Sequence, residues 1–416
     1  MYIYIYIYIE NSIIKIVRDK MLELVESALN NPKFYYGGLL GIGFCIYYLW
    51  EVVKTPLFVC ANGPFKEFLE KHMPILESKF WPTLWCFESR AQTVFASILR
   101  SRMLPQIPYH REILILSDGG EVALDWAEDN CCNTSPIIII LPGLTGASQA
   151  DYIKCLVAAA KNVGIKCVIF NNRGLGGVQL KTPRLYCAAN IEDFTEVLEH
   201  VRKTRPNVAI GATGISLGGL ILGNYLAQTG PGAVGKLMAS LAISVPWNVF
   251  EATKSIEKPY LNLMLNRHLC GNLCRNVSRH QSIICETTFE NFDVVLKSRT
   301  VREFDESFTS KAFGFKDVEA YYAKATLHDK LHNIQIPLLC LSAADDPFQP
   351  LEAIPLEEVK DTKHVAMIVT SRGGHIGFLE GVWPVHKERE QYIGKVFSQF
   401  FTAVFTHGLD DPAFYR

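Results

Sequence analysis

The sequence has no excess of either charge: 41 lysines and arginines stand against 42 aspartates and glutamates in 416 residues, a formal net charge of −1. Without a global field, nothing draws in nucleic acid or a strongly acidic partner, and those function classes are set aside. A paired cysteine framework is also missing. The 12 cysteines are scattered, and several sit in apolar runs where a reduced thiol packs as a small core residue. His268, Cys270, Cys274, His280 and Cys285 fall close together. Two thiols separated by three residues have no second pair to complete a zinc set, so no metal is expected. No internal repeat is present. No small-x-small cleavage site closely follows the N-terminal apolar run, which argues against a removed signal peptide.

The chain opens on "MYIYIYIYI", an aromatic and β-branched alternation of period two that favours a strand or an aggregating edge. With no partner strand nearby, the expectation is disorder, membrane contact or an atypical start rather than function. Residues 12–29 read as an amphipathic helix carrying Lys15, Arg18 and Lys20. After this N-terminal segment, 1–33, the run "FYYGGLLGIGFCIYYLW" at 34–50 holds no charged residue. As a helix it spans about 25 Å, slightly under a hydrocarbon core of about 30 Å. Tyr35 and Tyr36 at one end, and Tyr47, Tyr48 and Trp50 at the other, fit aromatic belts at two interfaces. The expectation is a retained single-pass anchor at 34–50, type II in orientation. Gly37 and Gly41 have GxxxG spacing, a weak sign of dimerisation in so glycine-rich a run. The sequons at Asn133 and Asn276 matter only if the domain after the anchor faces a lumen.

Residues 51–105 contain Pro56, Pro64, Pro74, Pro82 and Pro105 with little periodicity, and read as a connecting segment that packs on the domain beyond it. From 106 the rhythm changes. "EILILSDGGEVALDW" is a hairpin pattern about Asp118, Gly119 and Gly120. "PIIIILPG", "KCVIFNNRG", "NVAIGATG" and "LMASLAIS" come next as buried-type strands, separated by helical stretches. This alternation predicts an α/β fold over 106–246, a mostly parallel central sheet with helices on both faces. It breaks over 247–328, a partly basic helical insertion expected to cap one end of the sheet, and resumes over 329–416. Arg267, Arg275, Arg279, Lys297 and Arg299 in the insertion are able to attract a phosphate, although a solvated basic face accounts for most of them.

The stretch "TGISLGGL" frames Ser216 with Gly214 and Gly218, between a buried-type strand and a helix. A serine hydroxyl is a poor nucleophile at neutral pH and needs an exposed, tight strand-to-helix turn with a base beside it. Glycines two before and two after fit where side chains would clash. His375, in the glycine-flanked loop "SRGGHIGF" after an apolar strand, is the candidate base. "CLSAADDPFQP" ends another strand with Asp345 and Asp346. Asp346 is preferred because the acid of α/β-hydrolases commonly stands four residues before a proline, here Pro350; either carboxylate also suits a helix cap. The chain order Ser216, Asp346, His375 is that of α/β-hydrolases and not of the two protease arrangements. Leu217 N–H and Leu144 N–H, the latter in "LPGLTG", are the expected oxyanion donors.

Together and in order, "LPGLTG", "FNNRG", "TPRLYCAAN", "GISLGG", "REFDESFTSKAFGF", "AADDPF" and "GGHIGFLEG" resemble the AB hydrolase 4 family, in its group of membrane-anchored α/β-hydrolase domain-containing proteins. The resemblance runs from the anchor to the closing helix. It implies the α/β-hydrolase fold with a cap insertion, a single-pass membrane protein and a serine hydrolase of esters. For one branch it implies a phospholipase releasing fatty acid from phosphatidylcholine. Carried onto this chain, the family's triad falls on Ser216, Asp346 and His375. No cofactor, metal or obligate protein partner is implied; the expected partners are a lipid ester and a membrane. The rival readings are a carboxylesterase, thioesterase or monoacylglycerol lipase with the same triad, and a membrane-bound scaffold that has lost turnover.

Overall fold

The computed structural model describes residues 19–20, 23, 32–129, 131–285, 292–383 and 390–408. The Tyr-Ile repeat lies outside the described residues, as does almost all of the helix expected over 12–29. The chain divides into two compact units, Met1–Val53 and Lys54–Arg416.

In the first unit an α-helix, Pro32–Tyr47, runs into a π-helical turn, Tyr48–Val52. The uncharged run is helical as expected, and Leu40, Ile42, Ile46 and Trp50 on it are exposed. No helix among the described residues is long and apolar enough to cross a membrane. The physical reason is length: the α-helical part covers about 24 Å before the π turn changes its pitch.

The second unit is built on one sheet of nine strands: β1 (Leu57–Val59), β2 (His110–Ile115), β3 (Glu121–Ala127), β4 (Ile137–Leu141), β5 (Lys166–Asn171), β6 (Ile210–Ile215), β7 (Ser240–Ile243), β8 (Leu338–Ala343) and β9 (Val365–Thr370). Their spatial order is β1-β9-β8-β7-β6-β4-β5-β3-β2. The six strands from β9 to β5 are parallel. Antiparallel pairs close the edges, β1 on β9 at one side and β3 on β5, then β2 on β3, at the other.

The reason β4 reads as an unbroken isoleucine run is its double burial. Ile137, Ile139 and Leu141 face the core beneath helices Glu192–Thr204 and Leu217–Thr229. Ile138 and Ile140 face the opposite core, under Asp151–Asn162 and Tyr392–His407. Alternate residues therefore serve two apolar layers, and no position along the strand tolerates a polar group. The hairpin β2–β3 turns where Asp118 Oδ1 accepts from Gly120 N–H at 2.9 Å, an aspartate turn with the glycines at its far side. β2, at the sheet edge, is the strand with the least burial.

Between β7 and β8, the described residues of 247–328 are mainly helical, with Leu261–Arg279 the longest helix among them. They have a small core of their own, with Cys270, Leu273, Val277, Phe304 and Phe308 packed on Leu180 and Leu185. The proline-laden stretch 51–105 contributes β1 and two helices, Pro64–His72 and Ser89–Met103. Glu88 starts the second of these by accepting from Arg90 N–H and Ala91 N–H, each at 2.9 Å. That cap matters because this helix bonds to the loop that carries His375.

Candidate active site

Strand β6 ends at Ile215, and Ser216 makes the turn into helix Leu217–Thr229 with φ 53° and ψ −117°. Such a conformation strains any L-residue by about 1–3 kcal/mol and persists only where its surroundings enforce it. Ser216 N–H donates to Ile243 O at 2.9 Å, while Ser216 O accepts from Gly219 N–H and Leu220 N–H at 2.9 and 3.1 Å. The flanking glycines leave room for this turn, though they do not face each other as a simple pair. A Cβ on Gly214 would stand 2.5 Å from Gly218 O, whereas one on Gly218 would strike the carbonyl oxygen of Leu141 at the end of β4. The second glycine therefore lets the nucleophile turn nest against the neighbouring strand.

His375 Nε2 lies 2.9 Å from Ser216 Oγ, and His375 Nδ1 lies 2.9 Å from Asp346 Oδ2. Only 8% of His375 and 5% of Asp346 is exposed. An ionised carboxylate can only accept, so Nδ1 carries the proton and Nε2 is left to take one from the serine hydroxyl. Asp346 Oδ1 accepts from Phe348 N–H at 2.8 Å and Gln349 N–H at 3.3 Å, which fixes the carboxylate on the turn after β8. The Phe348 ring rests on the imidazole, 4.3 Å between centroids. Asp345 does different work. Its Oδ1 accepts from Gly374 N–H at 2.9 Å, bracing the histidine loop. Burial pushes its carboxyl up to about 7, against the hydrogen bond from Gly374 and the charge of Arg372.

Leu217 N–H opens the helix, and neither it nor Leu144 N–H has an acceptor among the described residues. The amides on either side of Leu144 are held by tyrosines: Gly143 N–H donates to Tyr152 Oη at 2.9 Å and Thr145 N–H to Tyr186 Oη at 3.0 Å. Burial raises both phenols above their ordinary range, keeping them neutral. The loop comes close to the nucleophile, since a Cβ on Gly143 would stand 3.3 Å from Ser216 Cβ. Two free backbone donors thus border the serine, as an oxyanion requires.

Most of the residues that sequence reasoning missed lie on helix Ser89–Met103; Ser244, Tyr152 and Tyr186 are others. Thr93 Oγ1 accepts from His375 N–H at 2.9 Å. Arg100 is fully buried and donates to Ile376 O, Gly377 O and Gln391 Oε1 at 2.9, 2.5 and 2.6 Å. Gln92 exchanges hydrogen bonds with the Leu379 backbone, and Ser244 Oγ accepts from Ile376 N–H at 3.1 Å. Nothing local marks the helix positions, because each acts on a segment nearly 300 residues away in sequence.

Ser216 and His375 open onto a cavity of about 780 Å³ lined mainly by apolar side chains, among them Ile98, Leu144, Leu217, Met264, Val277 and Phe308. Asp305, in a π-helical turn of the insertion, is its buried acid. Burial pushes that carboxyl up to about 7, while Thr309 Oγ1 and Tyr322 Oη donate to it at 2.7 and 3.1 Å. Arg267, Arg275, Arg279, Lys297 and Arg299 are exposed and do not line the cavity. Among the described residues no three His, Cys, Asp or Glu side chains are grouped to hold a metal. Cys270 and Cys274 stand 4.0 Å apart, and His280 Nε2 bonds with Gly174 O instead. Of the sequons, Asn133 is exposed, whereas Asn276 is buried against the cavity, where a glycan has no room.

A family model described as "Serine aminopeptidase, S33" (Hydrolase_4) matches residues 133–380. Human "Phospholipase ABHD3" is 39% identical over 373 residues, 88% of this chain and 89% of that protein. Caenorhabditis elegans "Protein abhd-3.2" is 35% identical over 361 residues, 86% and 94% of the two chains. Bovine "Monoacylglycerol lipase ABHD2" is 25% identical over 331 residues, 76% and 77%. With that match across more than half its length, and the α/β-hydrolase sheet to go with it, the chain belongs to the Hydrolase_4 family of α/β-hydrolases.

Proposed function

We propose that this protein is a serine hydrolase of lipid carboxylic esters, a phospholipase that releases fatty acid from phosphatidylcholine. The observation that carries the reading is the chain of 2.9 Å contacts from Ser216 through His375 to Asp346, opening onto a large apolar cavity. That the ester is a phospholipid leans on the relatives named phospholipase; phosphatidylcholine as the head group is what the family resemblance implies.

Ser216 Oγ attacks the acyl carbonyl as His375 Nε2 takes its proton, and Asp346 balances the imidazolium. Leu144 N–H and Leu217 N–H receive the oxyanion. The ester C–O bond then breaks, His375 returns the proton to the lysolipid oxygen, and the acyl group stays on the serine. Water, deprotonated by His375, repeats the attack, frees the acid and restores the hydroxyl. The cavity takes the acyl chain.

The α-helix Pro32–Tyr47 alone is too short to cross a bilayer; in this reading the π-helical turn Tyr48–Val52 extends it, and the run 34–50 holds the chain at its membrane as a single-pass, type II anchor. Support comes from its lack of charge and the outward apolar side chains of helix Pro32–Tyr47. Alkaline extraction of membranes tests it: the chain stays in the pellet, and loss to the supernatant contradicts the anchor. A glycan at Asn133 would report a lumenal domain.

Purified full-length protein, incubated with phosphatidylcholine, monoacylglycerol and simple esters, tests the substrate class. Release of lysophosphatidylcholine with free fatty acid is expected from wild type and not from Ser216→Ala. Turnover confined to monoacylglycerol, as the name of the bovine relative suggests for that protein, would move the assignment. Failure of a fluorophosphonate probe to label wild type would favour a scaffold without turnover.

A further inference from the structure

One group of large apolar side chains exposed in the second unit is joined by contacts. Trp81, Trp85, Phe95, Val382 and Trp383 are exposed, with Trp85 at 50% and Trp383 at 67%. They are linked to one another. Trp85 stands edge-on to Phe95 at 6.0 Å, and its indole N–H donates to Val382 O at 3.0 Å. Trp81 O accepts from Gly381 N–H at 2.9 Å. The chain has 6 tryptophans; Trp126 and Trp247 are buried, while Trp81, Trp85 and Trp383 are exposed and lie in segments joined by hydrogen bonds. Displaying indoles together in water forfeits much of the free energy that burial would supply, so such a patch marks a contact.

The patch leads to the cavity. Phe95 belongs to helix Ser89–Met103, whose Val94 and Ile98 are exposed and line the cavity. Arg90 Nε of the same helix donates to Asn262 Oδ1 at 2.8 Å, which ties it to the insertion helix carrying the exposed, cavity-lining Met264. Through Phe95, the patch shares helix Ser89–Met103 with the cavity-lining Val94 and Ile98.

We propose that this surface docks the hydrolase unit onto a lipid bilayer, so that an acyl chain passes from the membrane across the Ile98 and Met264 rim into the cavity. The proposal rests on the lipid-ester reading for what enters, but not for the docking itself. A protein bound here would cover the rim and bar the substrate. A bilayer that supplies the substrate covers the rim without blocking it. Indoles are also suited to this place, since their rings favour the apolar side and their N–H the wet side of a membrane interface.

The test uses the full chain, reconstituted in phosphatidylcholine vesicles whose acyl chains carry bromine, a quencher of indole fluorescence. Wild type is compared with the pair Trp85→Gln and Trp383→Gln. Trp50 is common to both proteins, so the difference isolates the patch. The proposal expects quenchable emission to drop in the double variant, and fatty-acid release from vesicles to fall about tenfold, the factor that about 1.4 kcal/mol of lost interfacial contact gives. Hydrolysis of a soluble butyrate ester and fluorophosphonate labelling stay within about twofold of wild type, a margin well under that tenfold change. Unchanged quenching, or unchanged vesicle turnover, overturns the proposal and leaves the patch to a second copy or another protein. If wild type labels yet releases no fatty acid from vesicles, the substrate reading fails, and the quenching still reads the docking.

Discussion

Replacing Thr93 by valine keeps the shape of the side chain and removes the oxygen that accepts His375 N–H at 2.9 Å. The imidazole itself is untouched. The perturbation acts through the backbone of the loop that carries it, from a helix far away in the chain. Leaving a buried amide without an acceptor costs about 1–3 kcal/mol, which at about 1.36 kcal/mol per factor of ten is about five- to 150-fold in rate. The contact is partly open to solvent, which places the expectation near the lower end: kcat for a soluble ester falls about tenfold, with KM within about twofold. Thr93→Ser keeps the acceptor and should stay near wild type. Phosphonate labelling should slow by the same factor as kcat, since both reactions need the histidine in place. The assay is steady-state hydrolysis of a butyrate ester by the full-length variants, with thermal unfolding measured alongside. Thr93→Val with wild-type kcat and labelling would refute the claim that helix Ser89–Met103 positions the base.

Gly218→Ala pushes a methyl group into the Leu141 carbonyl and should abolish labelling. Gly37→Ala, where a Cβ meets nothing within 4 Å, should leave labelling of the purified protein unchanged. Tyr152→Phe orphans Gly143 N–H beside Leu144 and should lower kcat about tenfold, with KM for a short ester steady, because only the oxyanion loop loses its brace. Asp305→Asn is a test by pH. Burial lifts the Asp305 carboxyl from 3.8 to about 7 in the folded protein, so between those values the native state holds a proton that the unfolded chain has released. Its contribution to stability is full below about pH 4 and is lost as pH rises through about 7. The asparagine variant should therefore gain in Tm relative to wild type from pH 5 to pH 8. A constant difference would contradict the burial of an ionisable group there.

The strands were legible because their burial leaves no freedom of composition. β4 must be apolar on both faces and reads as four isoleucines and a leucine, and the alternation of strands with amphipathic helices yields the doubly covered sheet. Ser216, Asp346 and His375 were named from the same logic, since each stands just past a strand end, where a parallel sheet gathers distant loops. The choice of Asp346 rested on its spacing to Pro350, and in the structure it is Asp346 that meets the imidazole while Asp345 holds Gly374. Residues 51–105 were not legible in this way. Prolines conceal their periodicity, and Thr93, Gln92 and Arg100 make their contacts with the histidine loop across long sequence separations that leave no local pattern. The bracing tyrosines were equally hidden, because a hydroxyl that accepts one backbone amide asks nothing of its neighbours in sequence. The apolar run at 34–50 announced a helix correctly, but its pitch change at Tyr48 follows from no residue rule that a hydropathy count contains.

The most direct test of the central claim joins a covalent label to turnover. Wild type and Ser216→Ala, both full length, are treated with a fluorophosphonate, mapped by mass spectrometry, and assayed for fatty acid released from phosphatidylcholine. The account predicts an adduct on Ser216, loss of lipid hydrolysis when that adduct forms, and neither adduct nor hydrolysis in the alanine variant. An adduct on another residue, or fatty-acid release that survives in Ser216→Ala, would contradict it.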